Sequence, residues 1–270
     1  MRRIELCRVR PGATILELLL VIICSAVLVV LILRVLMLIV GAHGEPLLRD
    51  GTQIKQIHEA WIVFAGEFDG RFPTPSLVVG ASQDSAVNTT ASIHSMCIMQ
   101  NYHSPELCVS PREPNANVMV CDDYDWEAYD PAAGVFWDPA FRADLDDVSH
   151  VSYASMPLFG RRYDEQWMES YDARFAMIGT RGPKDGIPDP DSITCEFFGP
   201  RNEWVGNVCF NDNHVDVLDS FTPRQAVYVD AAGVEHADNI FRFDDGLVGG
   251  DAILTIVKEM TPTGPIIQHD

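Results

Sequence analysis

A long apolar run near the N-terminus constrains this chain more than any other feature of its sequence. Residues 18–33 carry no charge and are almost all large and apolar. Arg34 interrupts the run, which resumes over 35–40, so that the stretch counted from Ala13 has 28 residues. Because about 20 helical residues cross a bilayer core, this pattern predicts a transmembrane helix over 13–40.

Charge is distributed unevenly between this run and the rest of the chain. The net charge of the 270 residues is −20, but residues 1–40 hold five arginines and two glutamates, so the remainder sums to −23. The arginines that precede the run predict a single-pass inner-membrane protein with a cytoplasmic N-terminus and a periplasmic or extracellular C-terminal domain. A secretory signal cleaved after Ala42 is the alternative, although typical signal cores have only about 7–15 apolar residues. The acidity argues against direct nucleic-acid binding.

Glu17 lies near the start of the apolar run, where a carboxylate is costly and therefore usually functional. It is part of the string PGATILELLLVI over 11–22. This string resembles the prepilin cleavage and methylation segment of type IV pilins and type II secretion pseudopilins, including the large pseudopilin-like proteins of Planctomycetes-type bacteria. The resemblance implies that prepilin peptidase cleaves between Gly12 and Ala13, that Ala13 is N-methylated, and that Glu17 sets the register of assembled subunits.

The residues that follow the run predict a second helix. Gly41, Gly44 and Pro46 are expected to bend or break the first helix. Apolar residues then recur at helical spacing and predict an amphipathic stalk helix over 41–72, which should end at Asp69-Gly70. The apolar positions are Leu47, Leu48, Ile54, Ile57, Trp61, Phe64 and Phe68.

The rest of the chain, 73–270, predicts an acidic, β-rich globular domain that includes a large loop-rich insertion. Short strand patterns begin near residue 151, and the clearest is a hairpin over 210–215, where Asp and Asn suit a tight turn. Residues 1–12 are predicted to be a basic leader. The predicted fold of the chain is α+β and pilin-like. Its long N-terminal helix, transmembrane and then amphipathic, would pack on a C-terminal antiparallel β-sheet.

Two further interpretations concern His58 and the apolar run over 240–243. His58, on the predicted stalk helix, is interpreted as a solvated or capping residue, because no partner converges on it in the sequence. The apolar run over 240–243 predicts one of the strands of the domain.

A loop rich in Pro, Gly and Asp over 179–191 contains the candidate cofactor site. It resembles the GPDG loop of pseudopilins, which binds calcium in some members, and this resemblance implies Asp185, Asp189 and Asp191 as ligands. Oxygen ligands in a flexible loop suit calcium. The same composition is also typical of an ordinary turn, so the alternatives are no cofactor and one calcium ion.

The cysteines of the predicted extracytoplasmic part are disulfide candidates, because that compartment is oxidising. Their number is odd, so at least one thiol stays unpaired or pairs between chains. We favour Cys195 with Cys209 and a second pair among the others. A zinc site that adds His214 to these two cysteines is the alternative, although its spacing matches no common pattern. The candidates are Cys97, Cys108, Cys121, Cys195 and Cys209.

The sequence contains no P-loop, GxSxG, HExxH or dinucleotide-binding motif and no evident acid/base pair, so no enzyme is predicted. The resemblance predicts a structural subunit of a type II secretion pseudopilus or type IV pilus-like filament. Its partners would be other pilin or pseudopilin subunits, prepilin peptidase and the inner membrane. The alternative is a membrane-anchored extracytoplasmic domain that binds calcium or carbohydrate, or acts as an enzyme, and carries a pilin-type signal.

Overall fold

Helices and small antiparallel sheets make up the computed structural model, which describes residues 15–81, 86–199 and 203–269. The chain divides into two units, 1–45 and 46–270. The α-helices are α1 (Ile15–Glu67), α2 (Pro75–Val78), α3 (Thr90–Met99) and α4 (Arg161–Gln166). The strands are β1 (Tyr153–Ser155), β2 (Ala176–Thr180), β3 (Gly206–Phe210), β4 (Val215–Leu218), β5 (Val227–Val229), β6 (Glu235–Ala237), β7 (Ile256–Thr261) and β8 (Gly264–Gln268). Short 3-10 helices lie at Pro105–Cys108, Pro131–Ala133, Lys184–Gly186 and Ile193–Glu196.

Helix α1 continues through the segment where the sequence predicts a break. Pro46 lies inside it, at the boundary between the two units. A proline removes one helical hydrogen bond and usually kinks a helix, but the residues on both sides here remain helical. The predicted break of the helix at this point is therefore not formed, and the bounds 13–40 and 41–72 stay a prediction.

The C-terminal end of α1 is confirmed close to the predicted position. Asp69 and Gly70 follow the last helical turn with positive φ angles of 51° and 78°. The Gly70 N–H donates to the carbonyl oxygen of Ala65 at 2.9 Å, so one of the last helical carbonyls finds a partner. A glycine is favoured at this position because it adopts the left-handed conformation without steric cost.

The apolar face of α1 is buried within the unit 46–270. Ile54, Ile57, Trp61 and Phe64 are each at most 1% exposed, and they share one hydrophobic cluster with residues of β1, β2 and β3. Leu48, which was predicted to belong to this face, is instead 72% exposed. The helical periodicity therefore identified most of the buried face, because it reflects which side chains are removed from water.

His58 is also buried on this helix, so its interpretation as a solvated residue is wrong. Its Nδ1 is 3.1 Å from Oδ1 of Asn213, and its ring packs against Phe72. Burial lowers the pKa of His58 to about 4. Asn213 also donates through Nδ2 to Oε1 of Glu59 at 3.2 Å, so the β3–β4 turn is bound to two neighbouring residues of α1.

The strands form three antiparallel sheets within the described residues. Strands β1 to β4 form a four-stranded sheet in sequential order, while β5–β6 and β7–β8 are two-stranded. The predicted hairpin over 210–215 is confirmed by the β3–β4 pair, with Asn213 in the left-handed conformation at φ 67°. The strand predicted over 240–243 is wrong, because the Asn239 side chain accepts from the Phe241 N–H and holds a turn there.

The predicted pilin-like arrangement is wrong, although the chain is α+β. Strand pairing is divided among three small sheets rather than gathered in one C-terminal sheet. Among the residues that the structure describes, no helix has the length and apolar character needed to cross a membrane. This finding contradicts both the transmembrane helix over 13–40 and the inner-membrane location.

One buried carboxylate in the unit 46–270 is expected to make its stability depend on pH. Asp238 is fully buried, and its Oδ2 accepts from the Ala252 N–H at 2.8 Å. Its Oδ1 has no hydrogen-bond partner among the described residues. Burial, followed by the nearby carboxylates of Asp251 and Asp244, raises the pKa of Asp238 from 3.8 to about 8. A carboxyl with a higher pKa in the folded state stabilises the fold fully below about pH 4 and loses this contribution as the pH rises through 8.

We therefore expect the free energy of unfolding to decrease by about 1–3 kcal/mol between pH 5 and pH 8 through this group alone. Urea unfolding of the wild type and of Asp238→Asn between pH 5 and pH 8 measures the free energy of unfolding. In the variant, this free energy should decrease much less over the same range. Asp122→Asn, at an exposed position, is the matched control. An Asp238→Asn variant with the same pH dependence as the wild type would contradict the prediction.

Candidate metal centre

Two histidines and a cysteine meet in the interior of the unit 46–270. Helix α3 begins after Thr89, whose side chain caps it, and carries His94 on its buried surface. Beyond α3, Asn101 adopts a left-handed conformation with φ 60°, which turns the chain back past His103. The following 3-10 helix then ends at Cys108, beside α3. A helix end and a tight turn thus bring together side chains from three different positions.

The donor atoms of these three residues, which we call the His2Cys centre, lie close together. The Sγ of Cys108 is 3.6 Å from Nδ1 of His94 and 3.9 Å from Nδ1 of His103. His94 and Cys108 are completely buried, and His103 is 7% exposed. Within the described part of the chain, this is the one group of three or more His, Cys, Asp or Glu residues whose ligand atoms lie within 4.8 Å of one another.

Neighbouring side chains hold the centre against α1. The His94 ring lies 6.1 Å from the Trp61 ring and 5.4 Å from the His103 ring, measured between centroids. Gln53 of α1 donates through Nε2 to the carbonyl oxygen of Val109, just beyond the 3-10 helix, at 3.1 Å. The ligand positions are therefore fixed by packing against a long helix rather than by an exposed loop.

Burial sets the protonation of the centre. It lowers the pKa of His103 to about 4 and the pKa of His94 well below its usual value of 6.5. The same burial raises the pKa of the Cys108 thiol well above 9.0. Both imidazoles are therefore neutral at neutral pH, and neutral imidazole nitrogen and cysteine sulfur are ligands of d-block cations.

The residues predicted for processing and assembly fall only partly within the described structure. Gly12 and Ala13 lie outside the described residues. Glu17 lies in the first turn of α1 and is exposed. Its predicted role depends on contacts between subunits, so it stays a prediction here.

The structure does not gather the three predicted calcium ligands. Asp185 is half-buried at φ 57° in its 3-10 helix, whereas Asp189 and Asp191 are exposed. The Asp191 N–H donates to Oδ1 of Asp189 at 3.0 Å, which is a local turn contact. Asp189 also lines a cleft of about 380 Å³ together with Trp204 and Phe221. Among the described residues, the donor atoms that converge belong to the His2Cys centre and not to this loop.

None of the described cysteines forms a disulfide in the structure, so the favoured pair of Cys195 with Cys209 is not formed. The Sγ of Cys209 instead donates to the carbonyl oxygen of Phe210 at 3.5 Å. His214, proposed as a third zinc ligand beside these cysteines, stacks on the Phe210 ring at 4.6 Å and pairs with Asp212. The five disulfide candidates Cys97, Cys108, Cys121, Cys195 and Cys209 are all buried.

Sequence reasoning missed both histidines of the His2Cys centre. The separation of nine residues from His94 to His103 and of five to Cys108 matches no common metal-binding spacing. The only signal in the sequence is that two of the eight histidines alternate with Cys97 and Cys108 along this short stretch of the chain.

Comparison with known proteins assigns no function to this group of residues. No protein-family model matches the chain, and no curated protein or solved structure shows significant similarity to it.

Proposed function

We propose that this chain is a structural subunit of a pilin-type filament. In this proposal, prepilin peptidase cleaves between Gly12 and Ala13, and the new N-terminus is methylated. The apolar first part of α1 then packs against the same segment of neighbouring copies. The observation that carries the proposal is the exposure of large apolar side chains on this part of α1.

Large apolar side chains surround α1 over 18–29. The nine among them that are described as exposed have 53–63% of their surface accessible. With 3.6 residues per turn, their positions lie on every face of the helix. Water contact with such a surface is costly, at about 25 cal/mol per Å² of apolar area, so a covering partner would be strongly favoured. The nine are Leu18, Leu19, Leu20, Val21, Ile22, Ile23, Val27, Leu28 and Val29.

The same segment carries a groove of about 340 Å³. Its lining includes Cys24 and Ser25, which are smaller than the flanking Val21 and Leu28. These four positions have the spacing i, i+3, i+4 and i+7, which is typical of a helix packing seam. The Ser25 hydroxyl donates to the carbonyl oxygen of Val21, so its polar group is already satisfied. Because one segment has both the large side chains and the groove, an identical copy is a sufficient partner.

Glu17 directly precedes this segment, in the first turn of α1, and it is the one charged residue between residues 15 and 29. Cleavage after Gly12 would leave a positive amino group on Ala13, four residues before Glu17. In a packed filament, the amino group of one copy and the Glu17 carboxylate of its neighbour would neutralise each other. A charge pair that forms at only one axial offset selects that offset over its alternatives, which explains how Glu17 would set register.

Co-expression with prepilin peptidase tests this function. Mass spectrometry is expected to find N-methylated Ala13 as the mature N-terminus, and sedimentation with electron microscopy is expected to find filaments. Glu17→Ala should be processed but assemble about tenfold less, which corresponds to about 1.4 kcal/mol of lost subunit contact. Glu45→Ala, an exposed glutamate on the same helix, should assemble normally.

Two results would contradict the proposal. A mature chain that begins at Met1 or His43 would exclude pilin-type processing. Processed Glu17→Ala that assembles as well as the wild type would exclude the role in register.

A further inference from the structure

We propose that the His2Cys centre binds a thiophilic d-block cation, Zn²⁺ or Cu⁺, in the interior of the unit 46–270. The ligands would be His94, His103 and Cys108. This inference is independent of filament assembly, because every residue that it uses lies in the buried core of that unit.

The distances within the centre match those that such a cation requires. Bonds of about 2.3 Å to sulfur and 2.0–2.1 Å to nitrogen, at tetrahedral or trigonal angles, place the two ligand atoms about 3.5–3.8 Å apart. The observed separations from the Cys108 Sγ are 3.6 Å to His94 and 3.9 Å to His103. A cation between these atoms therefore needs only a small adjustment of the side chains.

Without a cation, the three buried groups have few partners other than one another, and the closest of these is the carbonyl oxygen of Ser104, 3.3 Å from Nδ1 of His103. A thiol is a weak hydrogen-bond donor and acceptor, so its contacts with the two imidazoles contribute little. Coordination would replace the weak contacts with strong bonds. The thiol proton passes to the solvent as the cation binds, so that Cys108 becomes a thiolate ligand.

The donor set selects against hard cations. Calcium and magnesium require six or more oxygen ligands, and the three donor atoms here are two nitrogens and one sulfur. Sulfur and imidazole donors suit Zn²⁺ and Cu⁺.

A bound cation would join two parts of the core. His94 lies on α3, whose Ile93, Met96 and Cys97 belong to the main hydrophobic cluster. Cys108 belongs to the second cluster, which also includes Ile98 at the end of the same helix. The cation would therefore act as a structural clamp between the two clusters, and its binding should raise the melting temperature.

The test uses the full chain in a mild detergent, reduced and stripped with a chelator. Zn²⁺, or Cu⁺ kept reduced with ascorbate, is added in slight excess, and elemental analysis follows gel filtration. We expect one equivalent per chain and a higher melting temperature with at least one of these ions, and neither with Ca²⁺. Cys108→Ser and His103→Gln should weaken binding by about 100-fold or more. Cys121→Ser removes another buried thiol and should bind as the wild type does.

A spectroscopic measurement separates loss of a ligand from loss of the fold. Co²⁺ bound by the wild type should show a sulfur-to-cobalt charge-transfer band in the near ultraviolet, which requires a thiolate ligand. His103→Gln with a wild-type circular dichroism spectrum should show weaker Co²⁺ binding. The assignment is overturned if the wild type retains neither Zn²⁺ nor Cu⁺, if folded Cys108→Ser or His103→Gln binds as well as the wild type, or if bound Co²⁺ shows no such band.

Discussion

Replacing Asp50 with leucine is expected to destabilise the unit 46–270 by about 3–5 kcal/mol. Asp50 lies on α1 and is completely buried. Its carboxylate accepts hydrogen bonds from the hydroxyls of Ser110 at 2.6 Å, Tyr153 at 3.1 Å and Thr180 at 3.1 Å, and from Nδ2 of Asn207 at 2.8 Å. Leucine would remove the acceptor and leave four donors without their shared partner in a dry interior.

Urea unfolding followed by circular dichroism measures this effect. Asp50→Asn keeps the shape and one acceptor oxygen, so a smaller loss of about 1–3 kcal/mol is expected. Gln56→Leu places the same new side chain at an exposed position of the same helix and should change stability by less than about 0.5 kcal/mol. If Asp50→Leu costs no more than this control, the buried network contributes nothing to the stability of the fold.

Replacing Arg162 with methionine is expected to cost about 3–5 kcal/mol as well. Arg162 is completely buried, and its guanidinium donates to the carbonyl oxygens of Phe159 at 3.3 Å, Gly246 at 3.0 Å, Leu247 at 2.7 Å and Asp251 at 3.0 Å. It also pairs with the Asp251 carboxylate, which is equally buried. Methionine has a similar length but no hydrogen-bond donor. The Asp251 carboxylate and these carbonyl groups would therefore stay buried without the donor that they share.

The neighbouring Arg161 provides a matched control. Its side chain is 33% exposed and pairs with Glu165 and Asp245 near the surface, so Arg161→Met should cost less than about 1 kcal/mol. Adding Asp251→Asn to Arg162→Met should cost less than the sum of the two single changes, because the stranded charge is then removed. Strict additivity in this double-variant cycle would show that the two side chains are not energetically coupled.

The parts of the fold that were predictable from the sequence are those that periodicity or turn chemistry determines. Ile54, Ile57 and Trp61 recur at helical spacing, and each is buried on α1. Asn213 suits a left-handed turn, and the hairpin forms there. In both cases the information is local, because each side chain reports its environment through its own position in the repeat or turn.

Buried polar residues were not predictable in this way. Asp50 and His58 lie on the same helix, and a pattern of polar residues between apolar ones indicates exposure. Both are completely buried. The donors and acceptors that make their burial acceptable come from strands and loops far along the chain, which no local pattern reveals.

The candidate centre was unpredictable for a similar reason. His94, His103 and Cys108 converge because α3 ends and Asn101 reverses the chain, and neither event gives a recognisable ligand spacing. The Asp-rich loop over 179–191 attracted attention instead, because carboxylates close in sequence suggest a site whether or not they converge in space.

The Asp50 network has a consequence for how this chain acquires its structure. The four groups that donate to the carboxylate follow it by 60, 103, 130 and 157 residues. During synthesis, the second part of α1 therefore emerges long before the strands that complete its surroundings. Contacts of such sequence separation slow folding, because a long loop must close before they form. A ribosome-bound chain that ends before Asn207 would thus hold Asp50 without its full set of donors, and this unit should complete its folding only late in translation.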